Sequence, residues 1–396
     1  MGDRVKRVYL HVGAPTAGDA LLQEVLWNNR RRLGDSGVRY PLASRMQHFA
    51  AVMDLREMSW GGHRDPAWDG AWEALARGVR DWDGPTAVIS QGLLGGADEG
   101  QVRRAVESLR PAEVHVVFAT RHLGWQLVRD WQEQIRHSHT ITFERFVDDL
   151  VALGIDAPKP YGEMFWGLHD PVRVLGVWES AVPRERLHVL TLPASGADPG
   201  VLWSRFCAVT GIDAAACDVG DVAEEPPLSA IEAEVLRRLN GRLGPALGGD
   251  YERMVRHHLV GHGLTAGTEG TGRVPMGLPA RHAAWAAERS REIAGALRAS
   301  GYGVAGDLGE LAEFRAPAET MLPGDVPEDE VAAAAIGVAA HLLEQLNTKR
   351  DRIGLAHLHG RLGDIQENLD QLLKTAAAPS TGLQRVARRA TGRRGS

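Results

Sequence analysis

The chain has 396 residues, enough for one large domain or two smaller ones. Its hydrophobic content of 44% and charged content of 24% are typical of a globular protein and exclude a disordered or fibrous chain. The formal net charge of −6 gives no general attraction to nucleic acid or to anionic lipid, so no nucleic-acid partner is expected.

The first predicted element is a buried strand that ends at Val12, followed by a Gly/Pro loop and the start of a helix. Gly13 and Gly18 have the spacing of a phosphate-cradling loop, in which backbone N–H groups surround an anion at a helix N-terminus. Such loops continue with Lys and then Ser or Thr, but this chain has Asp19 and Ala20. A carboxylate at or near the helix N-cap can accept the free N–H groups itself and repel a phosphate. A structural turn capped by Asp19 is therefore favoured over strong phosphate binding.

Helices and strands alternate after this loop. A helix is predicted from Leu21 to about Leu33, and residues 41–70 are expected to be irregular, as a lid or as aromatic side chains packed on the core. Further helices are predicted at Ala71–Trp82, Gln101–Leu109, Leu123–Arg136 and Pro279–Ser300, with strands at Thr86–Ser90, Val114–Thr120 and Leu187–Leu192. Residues 202–244 are mainly helical in pattern, and 261–277 form a predicted loop. The alternation predicts an α/β fold, a parallel sheet with helices on both faces.

Ligands of such sheets bind outside the carboxyl ends of the strands. At one such end, Arg121 can hold a phosphate or pair with a carboxylate. Arg129 follows eight residues later, and two arginines can grip one phosphate; a structural ion pair is equally open. His122 is a candidate acid or base, although a histidine at a strand end more often only forms hydrogen bonds. His258 and His262 have the spacing of half a metal site, but glycines interrupt their helix and no acidic third ligand is evident, so no metal is expected.

The C-terminal part differs in composition from the rest. Residues 1–315 are predicted to form the α/β domain, 316–327 a Pro-rich linker, 328–376 a helical extension and 377–396 a basic disordered tail. Apolar residues spaced 3-4-3-4-3 from Leu355 to Leu372 form a short coiled-coil seam. Packing on the core and pairing in a homo-oligomer are both open, and pairing is slightly favoured.

The compartment is predicted from what the chain lacks. Cys207 and Cys217 form no metal-type pattern and suit a reducing environment. The apolar run after the basic N-terminus is too short for a signal peptide, and the longest apolar stretch, Val331 to Ala340, is too short to span a bilayer. A cytoplasmic protein without a transmembrane segment is expected.

The stretch from Gly13 to Ala20 resembles the 5′-phosphosulfate loop of the sulfotransferase superfamily, whose usual form is Pro-Lys-Thr-Gly-Thr-Thr. The resemblance is greatest to actinobacterial sulfotransferase-like proteins and covers about residues 5–315. Other stretches that carry it are Leu26–Arg30, Gly37–Pro41, Val114–Val117, Trp131–Glu133, Phe165–Trp166, Arg173–Leu175, Val182–Val189, Leu236–Asn240 and Ala287–Ser290. It implies the P-loop-like sulfotransferase fold and transfer of a sulfuryl group from 3′-phosphoadenosine 5′-phosphosulfate to a hydroxyl or amine.

The family's loop Lys and Thr hold the phosphosulfate, and this chain departs from them. Pro15 and Gly18 match the pattern, whereas Thr16 stands at the Lys position. The Thr positions of the pattern are occupied by Ala17, Asp19 and Ala20.

The 3′-phosphate and base positions depart as well. Arg121 matches the arginine that grips the 3′-phosphate, but His122 replaces the Asp that often follows it, and the Ser position falls near Arg129. In the related subgroup the second strand ends Ser-His-Glu, with the Glu as base, whereas this chain reads Ser90-Gln91-Gly92.

These departures predict a sulfotransferase-family protein with a degenerate phosphosulfate-binding loop. It would be weak or inactive in sulfuryl transfer and act as a binding or scaffold protein. The alternative is an active sulfotransferase that uses Arg121, Arg129 and His122 in an altered site to act on a hydroxyl acceptor. A third hypothesis is a protein that mainly oligomerises through the Leu355–Leu372 seam.

Overall fold

The computed structural model of the protein describes residues 5–41, 43–59, 64–192, 199–220, 226–247, 250–268, 273–313 and 318–348, together with Gln366. The chain forms two compact units, Met1–Ala335 and Ile336–Ser396. In the first unit residues 328–335 are helical, and in the second residues 336–348 are helical. The Leu355–Leu372 seam and the basic tail lie outside the described residues, so the extension and its pairing stay predictions.

The described part of the first unit contains one sheet of six strands. The strands are β1 (Arg7–His11), β2 (Val38–Arg39), β3 (Thr86–Ser90), β4 (Glu113–Thr120), β5 (Leu187–Thr191) and β6 (Gly303–Ala305). They lie in the order β2-β3-β1-β4-β5-β6, and every neighbouring pair is parallel. Arg7 of β1 pairs with Thr86 of β3 and with Glu113 of β4, so β1 lies at the centre of the buried sheet.

Helices connect and cover these strands. They are α1 (Asp19–Asn28), α2 (Arg30–Asp35), α3 (Gln47–Leu55), α4 (Ala71–Arg80), α5 (Glu99–Ser108), α6 (Leu123–Arg136), α7 (Phe143–Leu153), α8 (Tyr161–His169), α9 (Pro171–Trp178), α10 (Pro199–Thr210), α11 (Ala230–Leu247), α12 (Leu264–Gly267), α13 (Ala280–Ser300) and α14 (Gly309–Ala312). The predicted fold class, an α/β parallel sheet covered by helices, is confirmed. Strand β3 and helix α6 have the predicted bounds.

The order of the strands places helices on both faces of the sheet. The connection from β1 to β2 runs toward one edge, and the connection from β3 to β4 runs toward the other. Because such crossovers are right-handed, α1 and α5 lie on opposite faces. Helix α1 contacts α10, whereas α5 contacts α9, which in turn contacts α13.

The same reversal creates a crevice beside β1. Strands β1 and β4 are neighbours in the sheet. After β1 the chain runs toward β2 at one edge, and after β4 it runs toward β5 in the opposite direction. In open α/β sheets ligands bind at the carboxyl ends of strands where the order reverses in this way. The loop after Val12 and the residues after Thr120 are at that place.

Three sequence predictions are wrong or incomplete. Residues 41–70 are not irregular throughout, because α3 forms within them and buries Ala51, Val52 and Leu55. The predicted loop at 261–277 begins as helix, since a π-helix runs over Glu252–Gly263 and α12 follows it. Strands β2 and β6 were not predicted, because edge strands of two and three residues carry too little apolar pattern.

Candidate functional site

The Gly/Pro loop begins as a continuation of the sheet. Val12 N–H donates to Val117 O at 3.0 Å, and Ala14 N–H donates to Ala119 O at 2.7 Å. Ala119 N–H in turn donates to Gly13 O at 2.6 Å. Backbone hydrogen bonds alone therefore hold the first residues of the loop against β4, beyond the end of β1.

Gly18 closes the loop in a conformation that only glycine tolerates. Its φ is 81°, in the left-handed region, and a Cβ there would lie 2.2 Å from Cδ2 of Leu202. Gly18, and not Asp19 as the sequence predicts, is the N-cap of α1, so Asp19 is the first residue of the helix. The two glycines thus give the loop the path that the sequence spacing predicts, with its open end at a helix N-terminus.

Asp19 turns its carboxylate back into this loop. The backbone N–H of Thr16, a residue with φ of 58°, donates to Asp19 Oδ1 at 2.9 Å. The N–H of Ala17 donates to Ala14 O at 3.1 Å. Two of the loop's N–H groups therefore have acceptors within the loop, and Ala20 at its end is exposed and offers only a methyl group.

Arg121, His122 and Arg129 follow β4 in different environments. Arg121 is half-buried and stands two residues beyond Ala119, the residue hydrogen-bonded to Gly13 and Ala14. Arg129 lies further along α6 and is 8% exposed. The structure therefore brings Arg121 to the sheet edge that carries the loop and places Arg129 within a buried helix.

His122 is the N-cap of α6. Its Nδ1 accepts the N–H of Gly124 at 2.9 Å, which satisfies a donor at the start of the helix. Burial lowers the pKa of His122 to about 4, so the ring is neutral near pH 7. The nitrogen that would take up a proton is thus already used by the helix, which leaves His122 a poor general base in this arrangement.

The end of β3 packs directly on the loop. A Cβ at position 92 would lie 3.1 Å from Cγ of Pro15 and 3.3 Å from its nitrogen, so a larger residue there would require Pro15 to move by a few tenths of an ångström. Gln91 uses its Oε1 to accept the N–H of Leu93 at 3.3 Å at the start of a short 3-10 helix. Neither residue supplies a carboxylate to the crevice.

A buried pair of histidines meets the last residue of β3, and sequence reasoning missed both. His11 Nδ1 lies 2.8 Å from Ser90 Oγ, and His48 Nδ1 lies 3.3 Å from Ser90 O. Burial lowers the pKa of each ring to about 4, so both are neutral near pH 7. The only signal in the sequence was a histidine at the end of β1, and His48 lies in a segment predicted to be irregular.

A second buried set, also missed, reaches the loop from α6 and α8. Gln126 Nε2 lies 2.9 Å from Pro15 O and 2.9 Å from Thr16 Oγ1. The same nitrogen lies 2.7 Å from His169 Nδ1, and His169 Nε2 lies 3.0 Å from Asp130 Oδ1. Gln126 and Asp130 lie one helical turn apart on α6, but His169 and the loop are tens of residues away from them in the sequence, so no local spacing predicts the set.

Comparison with known proteins adds little to this geometry. No protein-family model matches the chain, and no curated protein matches it. The chain is similar to the crystal structure of a sulfotransferase from Alicyclobacillus acidocaldarius, with 17% identity and a TM-score of 0.37. That match covers 60% of this chain and 94% of the other. A likeness of this degree carries no argument about activity, so function is argued from the residues.

Within the part of the chain that the structure describes, no three His, Cys, Asp or Glu side chains are grouped so that they could hold a metal ion. No helix in that part is both long and apolar enough to cross a bilayer.

Proposed function

We propose that the protein is a sulfotransferase-family protein with a degenerate donor loop, which acts as a binding or scaffold protein and transfers sulfuryl groups weakly or not at all. One observation carries this proposal: the N–H of Thr16 donates to the carboxylate of Asp19. In a phosphate-cradling loop such an N–H faces the bound anion. Here the chain's own carboxylate occupies that position.

The residues present do not fit 3′-phosphoadenosine 5′-phosphosulfate at its sulfated end. An incoming phosphate would have to displace Asp19 from Thr16 and then stand beside a like charge. At 4 Å two unit charges interact by roughly 1 kcal/mol in water and about 4 kcal/mol at the effective dielectric of a protein surface. The loop from Val12 to Ala20 carries no Lys or Arg to offset this repulsion. No sulfuryl-transfer step is assigned to the loop for this reason.

On the acceptor side, the two described positions considered for a base do not supply a free one. Gly92 stands where the resemblance implies a Glu, and its close contact with Pro15 disfavours a larger side chain there. The remaining candidate, His122, holds the N–H of Gly124 with Nδ1. Loss of a positioned base typically costs ~10²–10⁴ in rate, which adds to the loss of the loop cation.

Calorimetry with 3′-phosphoadenosine 5′-phosphate tests the proposal. The natural chain should show no micromolar binding. Asp19→Asn keeps an oxygen acceptor for Thr16 and removes the charge, so it should bind the nucleotide more tightly. Thr16→Lys combined with Asp19→Thr should bind more tightly still, because it adds the missing ammonium group.

A matched control is available at another helix. Asp98 caps α5 through the N–H of Gln101, so Asp98→Asn makes the same change of charge at a helix N-terminus that does not belong to the loop. It should leave nucleotide binding unchanged. Micromolar binding by the natural chain would contradict the proposal and favour the active transferase that uses Arg121, Arg129 and His122.

A further inference from the structure

Gln126 joins the loop to the interior of the protein. It lies in α6, is 2% exposed, and its Nε2 faces the carbonyl of Pro15 and the hydroxyl of Thr16. The same nitrogen faces Nδ1 of His169, whose other ring nitrogen faces Asp130. A continuous set of hydrogen bonds thus runs from Asp130 through His169 and Gln126 to Thr16.

The chemistry of Asp130 determines the tautomer of His169. An ionised carboxylate only accepts hydrogen bonds, so the ring nitrogen 3.0 Å from Asp130, Nε2, carries the proton. In the neutral ring Nδ1 is then the acceptor. The group that faces Nδ1 at 2.7 Å must be a donor, and for Gln126 that is the NH₂ group.

The interior therefore requires the same orientation of the Gln126 amide as the loop does, because His169 Nδ1 and Pro15 O both need a donor. With the NH₂ group on His169, its hydrogens are shared with Pro15 O and Thr16 Oγ1. The cost appears on the other side of the amide, where Oε1 is buried and has no partner among the described residues. An unsatisfied buried acceptor is destabilising, so the amide adopts this orientation because of the contacts of its nitrogen.

We propose that Gln126 is the positioning residue of the loop and that the Asp130–His169 pair sets the orientation of its amide. Gln126 holds the turn at Pro15 and Thr16 in the conformation that presents the Thr16 N–H to Asp19. The inference rests on the proposed function in treating this loop as a degenerate donor site closed by Asp19, although the contacts of Gln126 themselves require no ligand. Gln126, Asp130 and His169 are not among the site residues predicted from the loop or from the arginines after β4.

Amide hydrogen exchange of the full chain, without nucleotide, tests the positioning role. Gln126→Leu removes the hydrogen bonds to Pro15 and Thr16 and should accelerate exchange of the Thr16 and Ala17 amides about tenfold. Gln132→Leu is the matched control, because Gln132 is a buried glutamine of the same helix that bonds to Leu228 and not to the loop. Equal exchange of the loop amides in the two variants would overturn the proposal.

The ring nitrogens of His169 supply a second test that needs no variant to fold. Nitrogen NMR of the natural chain should show a protonated Nε2 and an unprotonated Nδ1. A proton on Nδ1, alone or on both nitrogens, would overturn the proposal, since the NH₂ group of Gln126 could not then face it. Gln126→Glu places a carboxylate against Nδ1 and should shift the ring toward the doubly protonated form, an effect that a purely space-filling role would not produce.

These measurements separate the inference from the proposed function. If the natural chain bound the nucleotide tightly, the proposed function would fail while the exchange and tautomer results stood. If the loop exchanged alike in Gln126→Leu and Gln132→Leu, the positioning role would fail whatever the nucleotide affinity.

Discussion

Gly92 and Pro15 are in contact so close that a Cβ at position 92 would lie 3.1 Å from Cγ of Pro15. The strand end at which the resemblance implies a base and the loop that should hold the donor therefore pack directly on each other. A side chain longer than that of glycine at position 92 would press on Pro15, a residue that matches the sulfotransferase pattern.

Gly92→Ala should destabilise the fold by about 1–3 kcal/mol, because the added methyl group must displace Pro15 in a packed environment. The matched control is Gly78→Ala in α4, where a Cβ meets nothing within 4 Å. That change should be stabilising by about 0.5–1 kcal/mol, since alanine is the better helix former. Urea unfolding of the two variants beside the natural chain measures both. Similar effects of the two substitutions would show that the contact with Pro15 is easily relaxed.

Folding stability should fall as the pH is lowered from about 6.5 toward 4. Burial lowers the pKa of His11 and His48 to about 4 in the folded chain, whereas an unfolded histidine titrates near 6.5. Between these two pKa values the unfolded chain binds more protons than the folded chain does. The free energy of unfolding, which is highest above pH ~6.5, therefore falls as the pH is lowered. Each such histidine contributes a slope of at most about 1.4 kcal/mol per pH unit.

Urea unfolding at several pH values between about 4.5 and 7.5 measures this slope, because the range covers most of the interval between the folded and unfolded pKa values. The variant His11→Asn/His48→Asn removes these two rings and should make the slope shallower, even where it lowers stability at neutral pH; His122 and His188, whose pKa burial also lowers to about 4, maintain the rest. An unaltered slope in that variant would assign the pH dependence to other groups.

The Leu355–Leu372 seam is expected to pair two chains. Leu358→Asp with Ile365→Asp places charges at two core positions of the heptads and should convert a dimer into a monomer in light scattering of the full chain. Ala356→Asp, at an outer position of the same repeat, is the control and should leave the mass unchanged. A monomeric natural chain, or a dimer that survives the double substitution, would contradict pairing through the seam.

The regular core of the fold could be predicted from the sequence because its signals are local. β3 is a short run of β-branched and apolar residues, and α6 has a continuous helical pattern that begins after a strand. The short edge strands β2 and β6 have no such run, and each is a strand only because a longer neighbour pairs with it. α3 was missed because its apolar face is short and lies among aromatic and polar residues.

The site could be predicted only as far as it is contiguous in the chain. The path of the loop and the inward role of Asp19 follow from glycine spacing and from the residue after Gly18. Gln126 contacts Thr16 across 110 residues, and His169 contacts Asp130 across 39. Such contacts depend on which helices the sheet order brings together, and no local pattern contains that information.

The hydrogen bonds between Ala14 and Ala119 and between Ala119 and Gly13 involve backbone atoms alone. The path of the loop through these residues is therefore independent of the side chains that would recognise a ligand, at positions 16, 17, 19 and 20. A substitution at one of these four positions can therefore alter the charge of the loop while its first two residues keep their hydrogen bonds to β4.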